Sequence, residues 1–142
     1  MKAEKTIMRA GFTLVELAVV IVIIGVLAAF AVPRFRASVE RSKAAEAFNY
    51  LSAIQAAQER YHAKQGTYAN EVTALDIQFS APKYFAVGVV QGDSLETGWS
   101  LTLTRTGNAA GYGEYTVTFT QEGFYTENST ITQSEDINPM QT

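Results

Sequence analysis

Between Phe12 and Val32 a single residue carries charge, Glu16. A carboxylate inside a segment apolar enough for lipid is costly, and such an acid marks a functional position whose cationic partner has to be found. Other groups able to do chemistry are few. The chain has one histidine, His62, and no cysteine, which excludes disulfide, thiol-redox and thiolate-metal chemistry. Glu135-Asp136 lacks the several spaced oxygen ligands that a calcium site requires, so it reads as a solvated acidic pair. Asn128-Ser129-Thr130 fits a glycosylation sequon, a pattern short enough to occur by chance. No nucleophile, base and metal-ligand constellation is present, and the inventory argues against an enzyme and against a cofactor.

Charge narrows the partners. Residues 66–142 hold two basic side chains, Lys83 and Arg105, against nine acidic ones. Nucleic acid is therefore not indicated, because phosphate binding needs a basic footprint.

The elements that position Glu16 follow from hydropathy. The apolar run from Phe12 to Val32 makes a helix of roughly 30 Å, enough to cross a bilayer's hydrocarbon core. Its order differs from that of a secretory signal, since Gly11 and a polar leader precede the apolar stretch. Arg34, Arg36, Arg41 and Lys43 follow it, against Lys2, Lys5 and Arg9 ahead of it, so charge counting does not set orientation. From Arg34 to Gln65 the pattern becomes an amphipathic helix: Ala44, Ala47, Phe48, Leu51, Ile54, Ala57 and Tyr61 recur at three- and four-residue spacing. Pro33 cannot donate a helical hydrogen bond and should kink the rod, and Gly66 after Lys64-Gln65 reads as its C-terminal cap.

Past Gly66 the period shortens to two. Phe85, Val87 and Val89, then Leu101 and Leu103, then Tyr115, Val117 and Phe119 alternate with small or threonine residues. Each reads as a half-buried strand, with a short fourth around Phe124 and threonine-rich faces turned outward. The polar tail after Asn128 is expected to hug the surface or fray. The fold class is α+β: a long N-terminal helix packed on a small antiparallel sheet. The expected divisions are 1–11, a leader; 12–33, a membrane or filament-core helix; 34–65, an amphipathic helix; and 66–142, a β-sheet head with its tail.

Gly11-Phe12-Thr13-Leu14-Val15-Glu16-Leu17, the uncharged run to Val32 and the closing Pro33 resemble the N-terminus of type IV pilins and type II secretion pseudopilins. Glycine, aromatic, acid and proline stand in register, and the likeness continues more loosely through Gln58-Glu59-Arg60-Tyr61 and Gly66-Thr67-Tyr68, where it is closer to minor pilins. The resemblance implies a pilus subunit made as a prepilin, cut between Gly11 and Phe12 by a prepilin peptidase and methylated on the Phe12 amine. Glycine suits such a cut because a bare backbone enters a narrow cleft. It further implies that Glu16 accepts the Phe12 ammonium of its own or a neighbouring subunit, setting the axial register of packed helices. Its implied partners are membrane lipid before assembly, an inner-membrane assembly platform, and copies of itself with other pilins afterwards. The head would lie outside the cytoplasm, and Gly25 to Pro33 would lose helical hydrogen bonds on assembly. A secretion pseudopilin and a membrane-tethered binding domain are the alternatives. The chain departs from many pilins in lacking both a C-terminal disulfide and a second proline about twenty residues after Pro33.

Overall fold

The computed structural model describes residues 11–141. Of the leader expected at 1–11, residues 1–10 lie outside the described residues. The chain divides into two compact units, Met1–Phe35 and Arg36–Thr142.

Helix α1 runs Leu14–Gln65, 52 residues with Pro33 inside it. It starts two residues later than Phe12 because Thr13 caps it. Thr13 Oγ accepts the backbone N–H of Glu16 at 3.2 Å, and the Thr13 N–H donates to Glu16 Oε2 at 2.9 Å. This is a capping box, in which two orphan donors of the first turn are satisfied reciprocally. At the far end Gly66 takes φ +76° and donates its N–H to the His62 carbonyl at 2.8 Å. Only a residue without a Cβ adopts that left-handed conformation at no cost.

In the second unit the expected apolar stripe is buried: Ala44, Ala47, Phe48, Leu51, Ile54 and Ala57. Tyr61, expected on the stripe, is only partly buried. Three residues outside it are buried as well, Glu40, Tyr50 and Gln58. The covered face is wider than a periodic stripe because the segment after α1 folds back along the helix. There Gln58 donates Nε2–H to the Ala69 carbonyl at 3.0 Å and accepts the Ala69 N–H at 2.8 Å.

The sheet is an antiparallel meander in the order β1-β2-β3-β4. Its strands are β1 Phe85–Val87, β2 Ser100–Arg105, β3 Thr116–Thr120 and β4 Gly123–Phe124. Leu101 faces Phe119 and Leu103 faces Val117 across β2 and β3, and all four are buried. Burying each contributes roughly 1.5–3 kcal/mol. Phe48 of α1 meets Phe119 edge-on at 5.8 Å and Phe124 at 4.9 Å, so aromatic contacts join the helix to β3 and β4.

Three expectations are corrected. Val89 does not extend the inward face of β1: it is 73% exposed. The strand stops because the chain leaves the ladder after the Gly88 N–H bonds the Thr102 carbonyl at 3.0 Å, and it rejoins only at the Gln91–Ser100 bridge. Thr118 is buried and not on a solvated face. Asn128 and Ser129 cover it, Ser129 Oγ accepting the Thr118 N–H at 2.9 Å and the Asn128 carbonyl accepting its hydroxyl at 3.0 Å. The tail is anchored, since Ile131 and Ile137 are fully buried and Asn138 nearly so.

Candidate assembly surface

Among the described residues of the first unit the large apolar side chains are exposed. Phe12 is 85% exposed, Leu14 84% and Phe30 71%, and the same holds along Ile21, Ile24 and Leu27. This is the one helix among the described residues long and apolar enough to cross a membrane. Lipid tails and other apolar helices satisfy such a surface equally well.

Glu16 sits at the exposed start of this helix, where Oε2 accepts both the backbone N–H and the hydroxyl of Thr13 at 2.9 Å each. Gly11 is also exposed, and a Cβ built on it would meet nothing within 4 Å. Gly25 and Pro33 lie within continuous helix. The Thr13-to-Glu16 spacing is a capping signature that the sequence carries openly beside the acid's charge.

The second unit holds an ionic cluster that sequence reasoning did not find. Arg105 Nε donates to Glu40 Oε1 at 2.5 Å and Arg105 Nη2 to Oε2 at 3.1 Å, a bidentate pair with both side chains sealed from solvent. The Tyr115 hydroxyl donates to Glu40 Oε1 at 2.8 Å, and Lys43 Nζ stands 3.6 Å from Oε2. The remaining Arg105 donors reach the carbonyls of Tyr84, Thr106 and Asn108, which pins the start of the β2–β3 loop. Lys43, Lys83 and Arg105 all lie over the Tyr84 ring, at 5.0, 5.6 and 5.5 Å.

Burial pushes the Glu40 carboxyl up, but hydrogen bonds from Arg105 and Tyr115 and the charges of Arg105 and Lys43 outweigh it and hold its pKa below the ordinary value. Burial, then the hydrogen bond to Glu40, raises the Tyr115 phenol. The alternation of β2 explains the placement: Arg105 follows Leu101 and Leu103 at a period of two, so the pleat turns it inward with them.

The other residues singled out from sequence have ordinary surroundings. The His62 ring stacks on Tyr68 at 4.4 Å. Glu135 and Asp136 are exposed, and Asp136 accepts the Tyr112 hydroxyl.

Comparison with known proteins fits this architecture. Residues 33–129 match a family model described as "Type IV minor pilin ComP, DNA uptake sequence receptor", and residues 8–32 match the "Prokaryotic N-terminal methylation motif". Fimbrial protein EcpC of Eikenella corrodens is 36% identical over 104 residues, covering 72% of this chain and 68% of that protein. Type IV major pilin protein PilA of Myxococcus xanthus is 45% identical over 65 residues, 44% of this chain and 30% of that protein. Type IV major fimbrial protein FimA of Dichelobacter nodosus is 44% identical over 48 residues, 34% of this chain and 30% of its own length. The chain thus spans about two thirds of the first relative and under a third of the other two. No solved structure matches it. The chain belongs to the family of type IV pilins that the first model describes. As a type IV pilin it is a structural subunit of a pilus, and the secretion-pseudopilin alternative is not favoured by relatives named as pilins and fimbrial proteins.

Proposed function

We propose that the chain is made as a prepilin, anchored in the cytoplasmic membrane through residues 12–33 with residues 34–142 outside the cytoplasm. A prepilin peptidase cuts it after Gly11, and the new Phe12 amine is methylated. An inner-membrane assembly platform then moves the subunit from lipid into a helical filament of its own copies and other pilins. The observation that carries this reading is the uncovered apolar helix, exposed along its length from Leu14 to Val32. A surface that lipid and neighbouring helices satisfy alike suits a protein that passes from one to the other.

Glu16 supplies the register. Its Oε2 is already held against the Thr13 N–H, one residue from the amine that cleavage would free. The ammonium of Phe12, in the same or a neighbouring subunit, neutralises the acid as it enters the filament core. Gly25 and Pro33 weaken the helix between them, through backbone freedom and a missing N–H, and this segment yields when helices pack.

Two substitutions at Glu16 test the proposal. Glu16→Gln keeps an acceptor for the cap and removes the charge; Glu16→Ala removes both. Both variants are expected to be processed and membrane-resident while sheared-filament yield falls roughly tenfold or more, the scale of a lost close charge pair. Filaments at normal yield from Glu16→Gln would overturn the pairing.

The DNA-receptor activity in the family model's description is not the reading this head favours. Arg105 is buried on Glu40, which leaves Lys83 as the exposed cation of residues 66–141 against nine acids. Duplex binding draws its affinity from phosphate neutralisation.

A further inference from the structure

A groove of about 580 Å³ runs along α1 in the second unit, lined by Ser42, Glu46, Asn49, Tyr50, Phe79 and Pro82. Its floor carries an unusual acid. Glu46 Oε1 accepts the Lys83 N–H at 3.0 Å, but Oε2 is buried with no hydrogen-bond partner among the described residues. Buried carboxylate oxygens are nearly always paired, and one left unpaired points to a donor that the described residues of a single copy do not supply. The rim is apolar: Phe79 is 67% exposed beside it. A ligand for this groove therefore combines a planar or compact cation with an apolar body.

The chain itself offers that combination. Arg34, Phe35 and Arg36 are exposed, Phe35 at 70%, and neither arginine forms a salt bridge among the described residues. We propose that in the filament the groove of one subunit receives the Arg36 side chain of a neighbouring copy, whose guanidinium pairs with the unpartnered oxygen of Glu46. Arg34 and Phe35 of that copy flank the contact, Phe35 against the apolar rim. The terminal torsion of a glutamate is broad and two-fold, so a small rotation presents Oε2 to the incoming fork without releasing Lys83. Arginine suits the role better than lysine because its fork matches a carboxylate bidentately and sheds water more readily. The inference rests on the filament reading above and names a second contact between subunits, distinct from that of Glu16.

The chain has no cysteine, so paired thiols report this contact without background. Full-length Arg36→Cys/Glu46→Cys is assembled into filaments, sheared, and treated with a short bis-thiol crosslinker. Dimers and higher ladders are expected from this pair, and none from Arg36→Cys with Glu127→Cys, on an exposed acid elsewhere on the head. Intact filaments that give no ladder from the first pair, or equal ladders from both, would overturn the proposal. Should the cysteine variants not assemble, charge exchange decides. Glu46→Gln keeps the Lys83 hydrogen bond and is expected to lower filament yield roughly tenfold at unchanged thermal stability. Arg36→Glu is expected to do the same, and Arg36→Glu/Glu46→Arg to restore yield. An exchange no better than either single variant contradicts the pairing. Absence of filaments from the unsubstituted chain would instead contradict the filament reading itself.

Discussion

Arg105 Nε lies 2.5 Å from Glu40 Oε1, and through that contact the end of β2 is tied to α1 inside the second unit. Both charges are sealed from water, so neither tolerates loss of the other. Breaking such a pair from one side costs about 3–5 kcal/mol, whereas replacing it with well-packed apolar residues is often neutral. Glu40→Ala and Arg105→Ala are each expected to lower the melting temperature sharply, and Glu40→Met/Arg105→Leu/Tyr115→Phe to recover most of the loss. Thermal denaturation of the full chain in detergent, followed by near-UV circular dichroism, checks both.

The same cluster sets a pH dependence. The Glu40 pKa is depressed in the folded chain, so its contribution is fully present above the ordinary value of 4.5 and is lost as pH falls below that through the folded value. The Tyr115 phenol is raised, so its contribution is present below the ordinary value of 10.0 and is lost as pH rises through the folded one. Denaturant midpoints against pH are therefore expected to fall off on both sides. Glu40→Gln is expected to flatten the acid limb and Tyr115→Phe the alkaline limb, each at lower overall stability.

Gln58 makes a narrower prediction. Its buried amide both donates to and accepts from Ala69, acting as a one-residue strand for the segment that leaves the helix. At neutral pH Gln58→Glu keeps the acceptor and abolishes the donor, leaving the Ala69 carbonyl unsatisfied at a cost of about 1–3 kcal/mol, to which burial of the new charge adds. Hydrogen exchange at Ala69 and its neighbours is expected to accelerate while the β2–β3 ladder stays protected.

Much of this was legible in the sequence, for reasons specific to each element. The helix end at Gln65 was visible because glycine follows a cation, and the core strands because Leu101, Leu103, Val117 and Phe119 alternate strictly. Burial of Glu40 and Arg105 is not legible there, because each is conspicuous only once helix and sheet are brought together: 65 residues separate them. Arg105 nonetheless carried a local clue in continuing the inward alternation of β2. The depth of Ile131 and Ile137 was likewise hidden, since isolated apolar residues in a polar tail show no period. Glu16 and Gly11 stood out by type and position, and Thr13, which caps the helix against Glu16, stood between them.

Retention of the apolar helix after processing is the claim on which assembly depends, and intact-mass and N-terminal fragment spectrometry of the protein from native filaments tests it most directly. The expected result is a chain that begins at a methylated Phe12 and keeps every residue from there through Pro33. Filament protein that still starts at Met1, or that lacks the apolar helix, would contradict it.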